Sequence, residues 1–264
     1  MPPLVVTRPQ PEADQWVVQL HASGIDSVAL PLLHIGPSTH PRARAALQQA
    51  LQQLAHYQAL MFVSGNAVRF FFAQLHAHGL QLSPQQRLWA PGPGTSQALR
   101  AAGVPAQCID EPDAGAAQFD SEALWQVVGT QLCAGQRLLL VRGSDTDPAS
   151  AAIGQGRTWL TEQLQARGVQ VDFAPVYERH PPIASAPWLQ QLDALRAQQA
   201  LWLFSSSDAV RHLQALSAPR NWQAHTALAT HPRIAQQALQ AGFGRVLDCK
   251  PALQAIALSI KSLA

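Results

Sequence analysis

The chain writes the same passages twice. "FVSGNAVR" at residues 62–69 returns as "FSSSDAVR" at 204–211, so Phe62 matches Phe204, Ser64 matches Ser206, and Ala67, Val68 and Arg69 match Ala209, Val210 and Arg211. "LHASGIDSVALPLL", starting at Leu20, is matched by "LQARGVQVDFAPVY", starting at Leu164, with Gly24 on Gly168, Pro31 on Pro175 and Leu33 on Tyr177. "GPGTSQALRAAG" is echoed by "HPRIAQQALQAG". The offsets fall between 139 and 144 residues, far longer than the ~20–50 residues of a solenoid repeat. Such a duplication implies two similar domains. At 264 residues the chain has room for them.

Each copy is built from short apolar runs alternating with helical stretches that close in glycine. "LVVTRP" reads as a strand, "QPEADQWVVQLHASG" as a helix ended by Gly24, and "DSVALP" as the next strand. The pattern continues through a helix over residues 42–55, then "ALMFVS", "NAVRFFFAQLHAHG", "LWAPG", "TSQALRAAG", "RLLLVRG", "GRTWLTEQLQARG" and "VDFAPVY". It resumes with "ALWLFSS", "DAVRHLQAL", "TALAT", "RIAQQALQAG", "RVLDC" and a last helix from Pro251. Strands alternating with helices of this length predict parallel sheets covered by helices on both faces, an α/β fold. The matched passages do not keep the same order around the middle of the chain. Two proline-rich extended segments, "SVALPLLHIGP" and "VDFAPVYERHPP", suit crossings between domains. The expected division is residues 1–36 with 177–264 as one discontinuous domain and 37–176 as an inserted second.

Bulk properties narrow the function. A net charge of +2 is too small for a nucleic-acid footprint. No run approaches the ~20 apolar residues of a membrane span, and "MPPLVVTRPQ" has no signal-peptide pattern. The three cysteines, Cys108, Cys133 and Cys249, are widely spaced, which suits a reducing cytoplasm rather than a disulfide frame. The ten histidines form no metal-ligand cluster, and "APGPGTSQAL" lacks the spacing of a nucleotide loop. Residues 143–158 read as an insertion or a lid.

Taken in order, "VVTRP", "FVSGNAV", "GPGTSQAL", "LLLVRG", "PVYERHPP", "FSSSDAV" and "HPRIAQQALQAGFGRV" resemble the uroporphyrinogen-III synthase family over essentially the whole chain. The resemblance implies two flavodoxin-like parallel-sheet domains joined by a two-stranded linker, with an active-site cleft between them. It implies cyclisation of linear hydroxymethylbilane to uroporphyrinogen III, with inversion of ring D, loss of water and no cofactor or metal. It further suggests a monomer and a transient encounter with hydroxymethylbilane synthase. A catalytically degenerate homologue and a two-lobed polycarboxylate-binding protein are the competing readings.

The residues fit a polyanionic substrate. Strand-to-helix turns aim backbone N–H groups at the carboxyl edge of a sheet, where open α/β sheets take their ligands. Asn66 and Asp208 are expected as helix caps. Ser64 and Ser206, at strand ends, are expected to meet ligand, and Thr95 either caps a helix or does the same. The family's cleft carries a serine and a threonine matching Ser64 and Thr95. Arg8 and Arg142 close apolar strands, where each guanidinium forks onto a substrate carboxylate or an internal one. Arg233 opens a helix, where its charge opposes the dipole and favours an anionic ligand. The family often has a hydroxyl residue after this turn; Arg233 and Ile234 stand there instead. Tyr177 matches the family's catalytic linker tyrosine, a neutral acid at pH 7 that can protonate the departing hydroxyl. The alternative for it is ring packing at the crossing.

Overall fold

A computed structural model describes residues 2–113, 121–144, 155–217 and 221–262. By internal contacts the chain divides into two compact units, Met1–Ile35 with His180–Ala264, and Gly36–Arg179. It begins with β1 (Leu4–Val6), α1 (Glu12–Ala22) and β2 (Ser27–Ala29). Next come β3 (His34–Pro37), α2 (Pro41–Gln52), β4 (Ala59–Phe62), α3 (Gly65–Ala77), β5 (Arg87–Trp89), α4 (Pro93–Ala101), β6 (Ile109–Asp110) and α5 (Ser121–Val128). β7 (Arg137–Gly143), α6 (Gln155–Ala166) and the long β8 (Gln170–His180) follow. The chain then runs through α7 (Ala186–Ala197), β9 (Leu201–Phe204), α8 (Ser207–Ser217), β10 (Thr226–Ala229), α9 (Pro232–Gln240), β11 (Arg245–Asp248) and α10 (Leu253–Lys261).

In the first unit the strands lie in the order β2-β1-β9-β10-β11, every pair parallel. The period of two along each strand sorts the core into two layers. Leu4, Val6, Leu201, Leu203 and Leu228 face α1 and α10 through Leu20, Ile256 and Ile260. Val5, Trp202, Phe204, Ala227 and Ala229 face the other way, onto Leu192 and Leu195 of α7, Leu213 of α8 and Ile234 of α9. Helices thus cover both sheet faces, as the sequence pattern predicts.

In the second unit the order is β3-β8-β7-β4-β5-β6, with β4 to β8 joined by parallel pairing. The repeats put β4 on β9 and β8 on β2. Counting β7, β8, β4, β5 and β6 as first to fifth therefore gives the order 2-1-3-4-5, the same as in the first unit and that of flavodoxin-like sheets. The two units share one spatial plan threaded from different starting points, so the duplicated passages cannot keep one order along the chain.

The second crossing lies at Arg179/His180, a few residues beyond the expected 177, because β8 runs unbroken to His180. Two helices, α5 and α7, occupy stretches the sequence pattern leaves unmarked. In α7 Pro187 sits in the first turn, behind a Ser185 side chain that accepts from the Trp188 amide; proline is tolerated there because a first-turn N–H has no helical partner. Most of the expected 143–158 insertion lies outside the described residues.

Candidate active site

In a 2-1-3-4-5 sheet the chain leaves the first and third strands toward opposite faces, opening a crevice at their carboxyl ends. In the first unit those strands are β1 and β9, followed by Thr7-Arg8 and Ser205-Ser206. In the second they are β7 and β4, ending at Arg142-Gly143 and followed at β4 by Val63-Ser64. The register sets Val6 beside Leu203 and Leu140 beside Met61. Arg8 and Arg142 are thus structural counterparts, as are Ser64 and Ser206. Four of the expected site residues stand at the two places where such sheets bind ligands.

Tyr177 joins the second of these places. It is buried, at 2% exposure. A bulge in the β7–β8 pairing moves the register from Arg142 beside Pro175 to Gly143 beside Tyr177, and the ring lies over Gly143, where a Cβ would approach Cε2 to 2.7 Å. Its hydroxyl is 3.3 Å from Ser64 Oγ and accepts from Arg179 Nη2 at 3.3 Å. The Phe70 ring packs at 5.9 Å between centroids. On the backbone side, the Ser144 amide donates to the Tyr177 carbonyl at 2.7 Å. The tyrosine's ring is packed while its hydroxyl keeps polar company.

Ser64 does two jobs. It is the N-cap of α3, its Oγ accepting from the Ala67 amide at 3.2 Å, and it also meets Tyr177. Ser206 likewise accepts from the Asp208 amide at 3.1 Å. The expected assignment of caps to Asn66 and Asp208 is therefore corrected: both helices start earlier, and the serines at the strand ends carry the cap. Thr95 is buried in the first turn of α4, whose N-cap is Gly92, so it is not a cap.

Glu178, absent from the sequence expectations, is 1% exposed. It accepts from Ser38 Oγ at 2.6 Å, Thr39 Oγ1 at 2.8 Å and the His40 amide at 3.0 Å. Burial alone would raise its pKa, but the Ser38, His40 and Thr39 hydrogen bonds outweigh it and hold the carboxyl down at about 2. Ser38 Oγ also meets Ser144 Oγ at 2.9 Å, linking this cluster to the segment that holds the Tyr177 carbonyl. The signal was present in "VYERH": in a strand, i and i+2 share a face, so Tyr177 and Arg179 go one way and Glu178 the other.

Arg142 lines a cavity of about 520 Å³ with His40, Arg42, Ser144 and Phe173, and its Nε donates to the Gly143 carbonyl at 3.2 Å. Arg8 adopts the internal arrangement among its two readings: Nη1 pairs with Glu12 at 3.2 Å and the guanidinium lies 4.1 Å over the Trp16 ring. Arg233 is exposed in the first turn of α9, capped through His231 Nδ1, while Ile234 turns into the core.

The two parallel sheets of order 2-1-3-4-5 define a two-domain α/β protein with flavodoxin-like units. The family model described as uroporphyrinogen-III synthase HemD matches residues 14–257, and the chain belongs to the uroporphyrinogen-III synthase family. It is similar to the uroporphyrinogen-III synthase of Synechococcus elongatus, with 29% identity over 223 residues, 81% of this chain and 74% of that one. It is 31% identical to that of Salmonella typhimurium over 176 residues, 67% of this chain and 64% of the relative. The fold matches the uroporphyrinogen-III synthetase structure from Helicobacter pylori 26695 with a TM-score of 0.59 and 17% identity, covering both chains fully. A mutant uroporphyrinogen III synthase from Thermus thermophilus gives 0.54 and 17% identity, covering 99% of this chain and 98% of that one.

Proposed function

We infer that this chain closes hydroxymethylbilane into uroporphyrinogen III, turning ring D over and releasing water, with Tyr177 as general acid. The observation that carries the role of Tyr177 is its hydroxyl, set between Ser64 and Arg179 on an otherwise buried ring. The pyrrole nitrogen pushes its electron pair toward the hydroxymethyl carbon and the C–O bond breaks. The departing oxygen takes the phenolic proton and leaves as water. The substituted α-carbon of ring D bonds to the freed methylene, and its older bond to the methylene shared with ring C then breaks. Ring D turns, that methylene bonds to ring D's other α-carbon, and the proton this carbon loses as the pyrrole regains aromaticity returns to the phenolate. Atoms and charge balance with no cofactor.

General acid assistance of this kind is worth ~10²–10⁴ in rate. The greater task is holding a flexible polycarboxylate curled with its last ring reversed. We assign the carboxylate arms to Ser64, Thr95 and Arg142 in the second unit and to Ser206 and Arg233 in the first, where Arg8 joins them only by exchanging Glu12 for a substrate carboxylate. The support is their placement at carboxyl strand ends and helix starts, where guanidinium groups and backbone amides favour anions. The protein works as a monomer in the reducing cytoplasm, where its three cysteines stay free. It takes the unstable bilane soon after hydroxymethylbilane synthase releases it.

The test is to supply freshly generated hydroxymethylbilane and resolve the porphyrin isomers after oxidation. Isomer III in excess over the spontaneous isomer I is the expected result. Isomer I alone from folded protein would overturn the assignment and favour a lobed binding protein.

A further inference from the structure

Tyr177 has a guanidinium beside its hydroxyl. Arg179 Nη2 lies 3.3 Å from the phenolic oxygen, and the guanidinium carbon is 5.5 Å from the ring centroid. Strand alternation produces this contact. Glu178 is tied into Ser38, Thr39 and the His40 amide, on the face of β8 opposite residues 177 and 179. Arg179 itself is exposed, so core packing does not account for its place.

A guanidinium has five N–H donors, no acceptor, and does not deprotonate in proteins. At this contact the Tyr177 oxygen can only accept, and its own proton must point elsewhere. The partner on that side is Ser64 Oγ at 3.3 Å, whose oxygen already accepts from the Ala67 amide. Both contacts are at the long end of the hydrogen-bond range, as catalytic contacts without ligand commonly are. We propose that Arg179 is a positioning residue that turns the Tyr177 proton away from itself, toward Ser64 and the departing hydroxyl. Once the proton has gone, the same guanidinium faces the phenolate, and Ser64 can rotate its hydroxyl to donate as well. The inference rests on Tyr177 being the proton donor.

A double-mutant cycle tests it, with isomer III formation measured for the wild type, Arg179→Ala, Tyr177→Phe and the double variant, alongside a thermal melt of each. Arg179→Ala is expected to lower kcat about tenfold, the order carried by a hydrogen bond to a charged group, with little change in KM. In the Tyr177→Phe background the same change is expected to have almost no effect, because no proton remains to orient. Arg179→Lys, which keeps charge and donors, should recover part of the rate. Equal loss in both backgrounds, or a loss confined to KM, would overturn the proposal and mark Arg179 as a structural or carboxylate-gripping group. If Arg179→Ala does not fold, Arg179→Met keeps the apolar stem without the donor and completes the same cycle. Full turnover in Tyr177→Phe alone removes the proton-donor reading beneath the inference. An impaired Tyr177→Phe beside an unimpaired Arg179→Ala removes only the positioning role.

Discussion

Gly143 is needed for space. An added Cβ would lie 2.7 Å from Cε2 and 2.8 Å from Cζ of Tyr177, and the ring cannot retreat because it is buried beside Phe70. Gly143→Ala is expected to cost ~1–3 kcal/mol through overpacking and to lower kcat by displacing the phenol from Ser64 and Arg179. A thermal melt and the isomer III assay check both; an alanine variant with wild-type stability and turnover would refute the crowding. Glu178 gives a prediction in pH. Its folded pKa of about 2 lies below the ordinary value of 4.5, so its contribution is complete above pH 4.5 and fades as the pH falls toward 2. Glu178→Gln should lower stability at pH 7 by on the order of 3 kcal/mol, and the gap to wild type should shrink in acid. Urea melts at pH 7, 4.5 and 3 would reveal it; a gap independent of pH would contradict the assignment. This cluster was hard to see in the sequence because Ser38 and Thr39 lie 140 and 139 residues from Glu178.

At the scale of elements, two equivalent strand-to-helix turns do different work. Ser64 and Ser206 each cap the helix that follows their strand, so replacing either by alanine should cost ~0.5–2 kcal/mol. Ser64 also touches Tyr177. Ser64→Ala should therefore also lower kcat, while Ser206→Ala should appear chiefly as a raised KM. Steady-state kinetics on both variants separate the cases, and identical kinetic profiles would argue against the asymmetry. The strands and most helices were legible because apolar period and closing glycines are local signals. The caps were legible only to within two residues, since "SGNA" and "SSSDA" each offer more than one capping side chain. The choice falls to the residue whose backbone is still extended, as it is at Ser64 with φ −168° and ψ 164°.

At the scale of the whole chain, the second unit is continuous, Gly36–Arg179, whereas the first is assembled from two separated segments. The strands β4 to β7, their helices and β8 up to Arg179 fall inside the continuous stretch, which is of ordinary domain size. Residues 36–179 expressed alone are expected to unfold cooperatively in urea; a fragment with no cooperative transition would show that its core needs the rest of the chain. The α/β class, the doubling and the placing of a tyrosine near a crossing were determined by sequence alone, because periodicity, turn chemistry and repetition reside in neighbouring residues. Tertiary structure alone decided that both units share one strand order from different starting points. It also decided that Ser64 meets a hydroxyl 113 residues away, and that Arg8 turns to Glu12 and Trp16. Strand pairing joins residues whose separation along the chain carries no information about their separation in space.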